Sequence, residues 1–243
     1  MQRYFISVNN KYNDVIKITG EDVHHIKNVM RSSLGDQLIC CDGQGIDYLT
    51  QIINISSSEI ACRIITSSPS IGEPTINITI AQSLPKREKM EWILQKGTEI
   101  GATRFIPFSS ERTIVKVDTR KALHKKSRWE RIVKEAAEQA HRGTVPRVDA
   151  PKAWKELLCV IQQTGTALIA YEKGGELLST QLTRTSSKDI LIIIGPEGGF
   201  TDKEIIEAKE HGAIPISLGP RVLRTETAPL MALSCILYHS GDL

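Results

Sequence analysis

Cysteine is scarce and dispersed in this chain of 243 residues. The five cysteines, Cys40, Cys41, Cys62, Cys159 and Cys235, are odd in number and never spaced C-x-x-C. That pattern argues against a disulfide frame and a zinc site, and it predicts thiols in a reducing compartment. His24 and His25 are adjacent, so their side chains diverge and no metal is expected between them. Long apolar runs are missing too. None approaches the roughly 20 residues of a membrane-spanning helix, and the opening MQRYFISVNN does not read as a secretion signal. A cytoplasmic protein without metal or membrane is therefore predicted. The phosphate-cradling patterns G-x-x-x-x-G-K-S/T and G-x-G-x-x-G are both absent, which argues against the common nucleoside-phosphate loops. Nor is one sign of charge in large excess. A formal net charge of +3 is too small for the whole molecule to act as a polycation towards nucleic acid.

What is present divides into two parts. Short runs at 4–8, 14–18, 37–41, 47–55 and 59–65 are separated by turn signals such as Gly35-Asp36 and Asp42-Gly43, the pattern of a small β-barrel. One helix interrupts them, with Val23, Ile26 and Met30 on a common face. A polar, proline- and glycine-bearing stretch at 67–74 reads as a hinge, which gives domains at 1–70 and 74–243. Beyond it, apolar strand runs alternate with helical spacing. A strand from Ile76 precedes a helix through Met90 and Ile100, and a strand at 104–108 precedes a helix through Trp129 and Ala140. A helix at 154–161 and a strand at 167–171 follow. Such βα alternation predicts a parallel α/β sheet covered by helices.

The richest stretch is 189–238. Its run 190–194 is continuously apolar, as in a strand covered on both faces, and it enters Gly195-Pro196-Glu197-Gly198-Gly199. Thr201-x-x-Glu204 is a capping box for the next helix, which stops near Gly212. A strand at 214–218 opens a second loop at Gly219, and Thr227 with Pro229 starts a final helix. Strand ends in an open parallel sheet are where ligands commonly bind. Glu197 and Glu226 stand where a phosphate site would place lysine or bare amides, whereas a cofactor cationic at its reactive centre tolerates them. Between Lys116 and Arg147 lies a local excess of basic residues, including Lys116, Arg120, Lys121, Arg128 and Arg142. It is either a solvated, internally paired helix face or a surface that steers RNA.

Gly195-Pro196-Glu197-Gly198-Gly199 together with 218–228, LGPRVLRTETA, resembles the signature of the SPOUT methyltransferases, and within them the RsmE family. The likeness continues through Arg3-Tyr4-Phe5, His24-His25-x-x-x-Val29-Met30-Arg31, Lys86, Glu111-Arg112, Arg128-Trp129 and 135–142, so it spans nearly the whole chain. His141 departs from it, because many members carry glycine there. The resemblance implies a PUA-like RNA-binding barrel followed by a knotted α/β domain, in which a trefoil knot closes around S-adenosylmethionine. It implies methylation of N3 of a uridine in small-subunit (16S) ribosomal RNA, and a homodimer formed through the C-terminal helix. The small ribosomal subunit or its rRNA would be the partner.

On that footing Gly195, Pro196, Glu197, Gly198, Gly199, Leu218, Gly219, Leu223, Thr225, Thr227 and Ala228 are expected to bind the cofactor. Arg224 is expected to place the uracil, and Glu226 or Glu138 to accept its proton. Arg3, Arg31, Lys86, Arg112, Arg128 and Arg142 are expected to touch RNA. N3 of uracil carries a proton and is a weak nucleophile until it leaves, so the chemistry requires alignment, deprotonation and stabilisation of an anionic ring. Two alternatives stay open. One is a related knotted enzyme acting on a ribose 2′-hydroxyl or on tRNA, and the other is a non-enzymatic RNA-binding ribosome-assembly factor.

Overall fold

The computed structural model describes residues 1–115 and 119–243, with side chains at all of these except 119–123. Lys116 thus lies outside the described residues, as do the side chains of Arg120 and Lys121. The chain divides into two compact units, Met1–Glu73 with Ala137–Val145, and Pro74–Ala136 with Pro146–Leu243. The segment Ala137–Val145, expected in the C-terminal domain, thus belongs to the N-terminal unit.

The N-terminal unit is built on β1 (Arg3–Phe5), β2 (Lys11–Tyr12), β3 (Val15–Thr19), β4 (Gln37–Cys41), β5 (Ile46–Ile55) and β6 (Glu59–Pro69). They form a six-stranded sheet in the order β1-β4-β5-β6-β3-β2, antiparallel except for β1 beside β4. Period-two alternation sends Ile16, Ile18, Leu38, Cys40, Ile60 and Cys62 to one buried face. Register shifts at Leu49/Thr50 and Ile52/Asn54 interrupt the β5–β6 ladder, and bulges of this kind bend strands. The result is a half-barrel whose strand order ends at β1 and β2 rather than a closed barrel. Residues 67–69, read as hinge, are strand instead: Ser67 and Ser68 pair with Tyr48 and Asp47. Their polarity reflects exposure of the hairpin end. The helix α1 (Glu21–His24) loosens into a π-turn over His25–Val29, and the chain then leaves through Arg31 at φ +54°.

Two expected RNA contacts are corrected here. Arg3 is 6% exposed, and its guanidinium donates to both oxygens of Asp47 at 2.7 and 2.9 Å. Arg142 is 2% exposed and donates to both oxygens of Glu73 at 2.8 Å. Gly143 N and Thr144 Oγ1 donate to Glu73 as well, at 2.8 and 2.7 Å. Burial by itself would push the Glu73 carboxyl up, but Arg142 and Thr144 outweigh it and hold it below its usual range. Both arginines are interior ion-pair partners, and neither side chain is open to a phosphate.

The C-terminal unit runs β7 (Asn77–Ser83), α2 (Lys89–Ile100), β8 (Arg104–Ser109), α3 (Thr119–Gln139), β9 (Arg147–Val148), β10 (Lys152–Ala153), α4 (Trp154–Gln163) and β11 (Thr166–Ala170). It continues through β12 (Glu176–Leu177), α5 (Leu178–Arg184), β13 (Asp189–Ile194), α6 (Asp202–Glu210), β14 (Ile214–Ser217) and α7 (Ala228–Ser240). The unit division falls within α3, whose last residues belong to the N-terminal unit. All strands are parallel, in the order β10-β8-β7-β13-β11-β14-β12 with β9 beside β8. The central β13 is buried on both sides. Ile190, Ile192 and Ile194 pack with Leu94, Val133 and Leu233, and Leu191 and Ile193 pack with Leu157 and Ile205. The expected α/β architecture, a small β domain followed by a parallel sheet between helical layers, is therefore present.

Candidate cofactor site

The carboxyl ends of β13, β11 and β14 open onto one cavity of about 420 Å³, within the range of small-molecule sites. The sequence explains how each wall is held. After β13 the chain turns tightly, with Gly199 N donating to Pro196 O at 2.9 Å and Gly199 at φ +65°. Thr201 then caps α6: Glu204 N donates to Thr201 Oγ1 at 3.3 Å and Thr201 N to Glu204 Oε2 at 2.9 Å. Glu204 is buried, and its other oxygen accepts from Glu111 N at 2.8 Å. Arg112 Nη1 donates to Gly198 O at 2.8 Å. The capping box thus also fixes the loop after β8.

The loop after β14 turns at Gly219, φ +103°, where an added Cβ would meet nothing within 4 Å. It is locked onto the first loop by a buried relay. Thr225 Oγ1 donates to Gly195 O at 2.7 Å and accepts from Gln82 Nε2 at 2.9 Å. Gln82, at the end of β7, is fully buried. Thr227, expected to cap α7, makes no side-chain cap bond. The backbone is already helical there, and Thr227 O accepts from Met231 N at 3.1 Å.

Lys89, the first residue of α2, draws the two acidic residues together. Its Nζ is 3.1 Å from Glu197 Oε1 and 3.1 Å from Glu226 Oε2, although the latter oxygen makes no aligned hydrogen bond. The neighbouring Glu226 and Glu197 carboxylates outweigh desolvation and raise the Lys89 pKa above its ordinary value. Partial burial works against charged Glu197, but donation from its own backbone amide, the Lys86 amide and Lys89 holds its carboxyl below the usual range.

Of the expected cofactor residues, Gly195, Pro196, Glu197, Gly199, Leu218, Gly219, Leu223, Thr225 and Ala228 line the cavity, and Gly198 and Thr227 do not. Arg224 is exposed on the same lining. Glu226 stands behind it, on Lys89. Glu138 is in the N-terminal unit and accepts from Phe5 N at 3.0 Å. Among the expected RNA contacts, Arg31 and Lys86 are exposed, and Arg128 pairs with Glu91 at 2.7 Å while remaining exposed. Sequence reasoning missed Lys89, Tyr171 and Glu172. The last two follow β11 directly, and nothing in their local pattern marked a ligand wall.

The donor set fits a sulfonium nucleoside. Backbone carbonyls and amides of two glycine loops, apolar Ile194, Leu218 and Leu223, and carboxylates rather than a phosphate nest surround the space. Among the described residues, no three His, Cys, Asp or Glu side chains converge to hold a metal, and no helix is long and apolar enough to cross a membrane.

Residues 72–237 match the RNA methyltransferase domain family, and residues 18–65 match the RNA methyltransferase PUA domain. The ribosomal RNA small subunit methyltransferase E of Bacillus subtilis (strain 168) is 44% identical over 99% of this chain and 97% of its own length. The chain belongs to the ribosomal RNA small subunit methyltransferase E family. Two solved structures agree with it at a TM-score of 0.89. One is a Neisseria gonorrhoeae ribosomal RNA small subunit methyltransferase E bound to S-adenosyl methionine, 31% identical with 98% of this chain and 97% of that one covered. The other, from Legionella pneumophila, holds the cofactor SAM and is 30% identical with 97% and 96% covered.

Proposed function

We propose that the protein methylates N3 of a uridine in 16S ribosomal RNA of the small subunit, in the cytoplasm. The observation that carries this reading is the cavity wall itself, with Lys89 clasped between Glu197 and Glu226 and Arg224 exposed beside them. When bound, S-adenosylmethionine supplies a methyl on a positively charged sulfur that departs with its electron pair as a neutral thioether. Gly195, Gly199 and Gly219 bring backbone groups close to that ligand, and Thr225 keeps the two loops in register. Arg224 places the uracil and compensates the negative charge left on the ring when N3 loses its proton. Glu226, set behind the lining, accepts that proton through water, and Lys89 holds its carboxylate in place. N3 lies on the pairing edge, so the target is taken from an unpaired or unstacked site. Arg31, Lys86, Arg112 and Arg128 supply phosphate contacts.

A second copy of the chain completes the enzyme. The flank of α7 carries an apolar groove of about 400 Å³ lined by Leu177, Leu182, Leu218, Met231, Cys235 and Tyr238. Leu177 and Tyr238 are 53% and 76% exposed, a large apolar area for an uncovered surface, and a two-fold contact would bury it. Light scattering should give twice the 27.0 kDa chain mass, and a clean monomer would contradict the dimer. The methylation reading is tested by nucleoside mass analysis of small-subunit rRNA from a strain lacking the gene, after treatment with the protein. N3-methyluridine supports it; a ribose methyl, or no product, overturns it.

A further inference from the structure

The cavity lining carries two acidic side chains, Glu197 and Glu172. Glu197 is paired with Lys89 at 3.1 Å. Glu172, just beyond β11, has no ion pair or hydrogen bond among the described residues, although Lys173 follows it in the chain. Lys173 turns to Asp202 instead, at 3.5 Å, and Tyr171 OH bonds the same carboxylate. Glu172 is nevertheless held in position. Tyr171 N donates to Ile216 O at 3.0 Å, and Gly175, at φ +115°, lies so close to β14 that an added Cβ would come within 2.6 Å of Pro215 O. Between these anchors the Glu172 carboxylate faces Gly199, where an added Cβ would be 3.4 Å from its Oε1. An acceptor pair on a ligand wall, carried by an anchored backbone and with no partner of its own among the described residues, is a group prepared for donors that the ligand brings.

Resting on the methyltransferase reading, we propose that Glu172 is a positioning residue that accepts hydrogen bonds from the ribose hydroxyls of the cofactor. Charge decides between the ligand's donors. Its amino-acid end is a zwitterion, and the Lys89–Glu197 pair already offers a cation beside an anion to match it. The adjacent hydroxyls of the ribose are uncharged and present two donors side by side, which suits the two oxygens of one carboxylate. The remaining negative charge of Glu172 also favours a sulfonium in the same cavity.

Calorimetry on the full chain with S-adenosylhomocysteine and with methylthioadenosine separates the possibilities, because the second ligand keeps the ribose and lacks the amino-acid end. Glu172→Ala should weaken both ligands by the same factor, roughly ten- to a hundredfold for lost charge-assisted bonds. Glu172→Gln, which keeps one acceptor, should weaken both by less. Melting of the ligand-free variants should match that of the wild type, and the Michaelis constant for S-adenosylmethionine should rise with kcat retained. Loss confined to S-adenosylhomocysteine would assign Glu172 to the ammonium group and overturn the proposal, as would unchanged affinity for both. A wild-type protein that binds neither ligand would overturn the methyltransferase reading, and this assignment with it.

Discussion

Replacing Thr225 by valine tests whether the two glycine loops are held together by the buried relay. Valine keeps the shape and removes only the hydroxyl, which donates to Gly195 O at 2.7 Å and accepts from Gln82 Nε2 at 2.9 Å. Each such bond contributes about 1 kcal/mol net, and an orphaned buried polar group costs about 1–3 kcal/mol. Gln82 Nε2 keeps a second acceptor, Ser83 O at 2.9 Å, whereas Gly195 O is left only with Gln82 at 3.5 Å. The expected destabilisation is therefore about 2–3 kcal/mol, read as a lower urea midpoint at unchanged slope. The variant must also realign its loops to bind, so affinity for S-adenosylhomocysteine should fall roughly tenfold, or 1.4 kcal/mol. Thr225→Ser retains the hydroxyl and should recover most of both losses. The reasoning is refuted if Thr225→Val unfolds within about 0.5 kcal/mol of wild type and binds equally well, or if serine is as damaging as valine.

Three further outcomes are expected. Arg142→Met leaves the partly buried Glu73 carboxylate without its cation and should cost up to about 3–5 kcal/mol in urea unfolding. Glu73, Asp47 and Asp149 all have folded pKa values below their ordinary ones. Their stabilisation is thus complete above the ordinary carboxylate range, with reference values of 4.5 for Glu and 3.8 for Asp, and is lost as pH falls through the lowered folded values. Melting temperature should therefore drop on acidification below about pH 4.5, the Glu reference value, and less steeply in Glu73→Gln. His141 sits at φ +57°, a conformation that costs a side chain about 1 kcal/mol. His141→Gly should therefore be neutral or slightly stabilising in the same unfolding assay, and a clear loss would show that the imidazole itself contributes.

How much of this was legible beforehand depended on how far apart in sequence the partners lie. The run 190–194 and the Thr201-x-x-Glu204 box act locally, so hydrophobic spacing and capping chemistry revealed them. Both glycine loops were placed at strand ends for the same reason. Lys89 was missed because its meaning lies in Glu197 and Glu226, more than a hundred residues on, and Lys86 beside it drew attention through the family motif alone. Arg3 and Arg142 were misread in the opposite direction. A basic residue looks like a phosphate contact until the distant acid that neutralises it is known, Asp47 and Glu73 respectively. The short helix α5, anchored by Leu178 and Leu182, was too brief for its period to register. The glycine that the resemblance implies in place of His141 fits the backbone there, at φ +57°. The trefoil knot is implied by the resemblance alone, since no local pattern encodes the threading of one segment past another.

Ser217, Leu218 and Gly219 line both the cofactor cavity and the apolar groove beside α7. A partition only one backbone thick cannot be stiffened from one side without the other side registering it. With a second copy seated in the groove, occupancy of the cavity and self-association become thermodynamically linked, and whatever factor the ligand adds to the association constant the partner returns to the ligand. Dilution would then impair methyl transfer before any chain unfolds, and saturating S-adenosylhomocysteine would postpone that loss to lower protein concentrations.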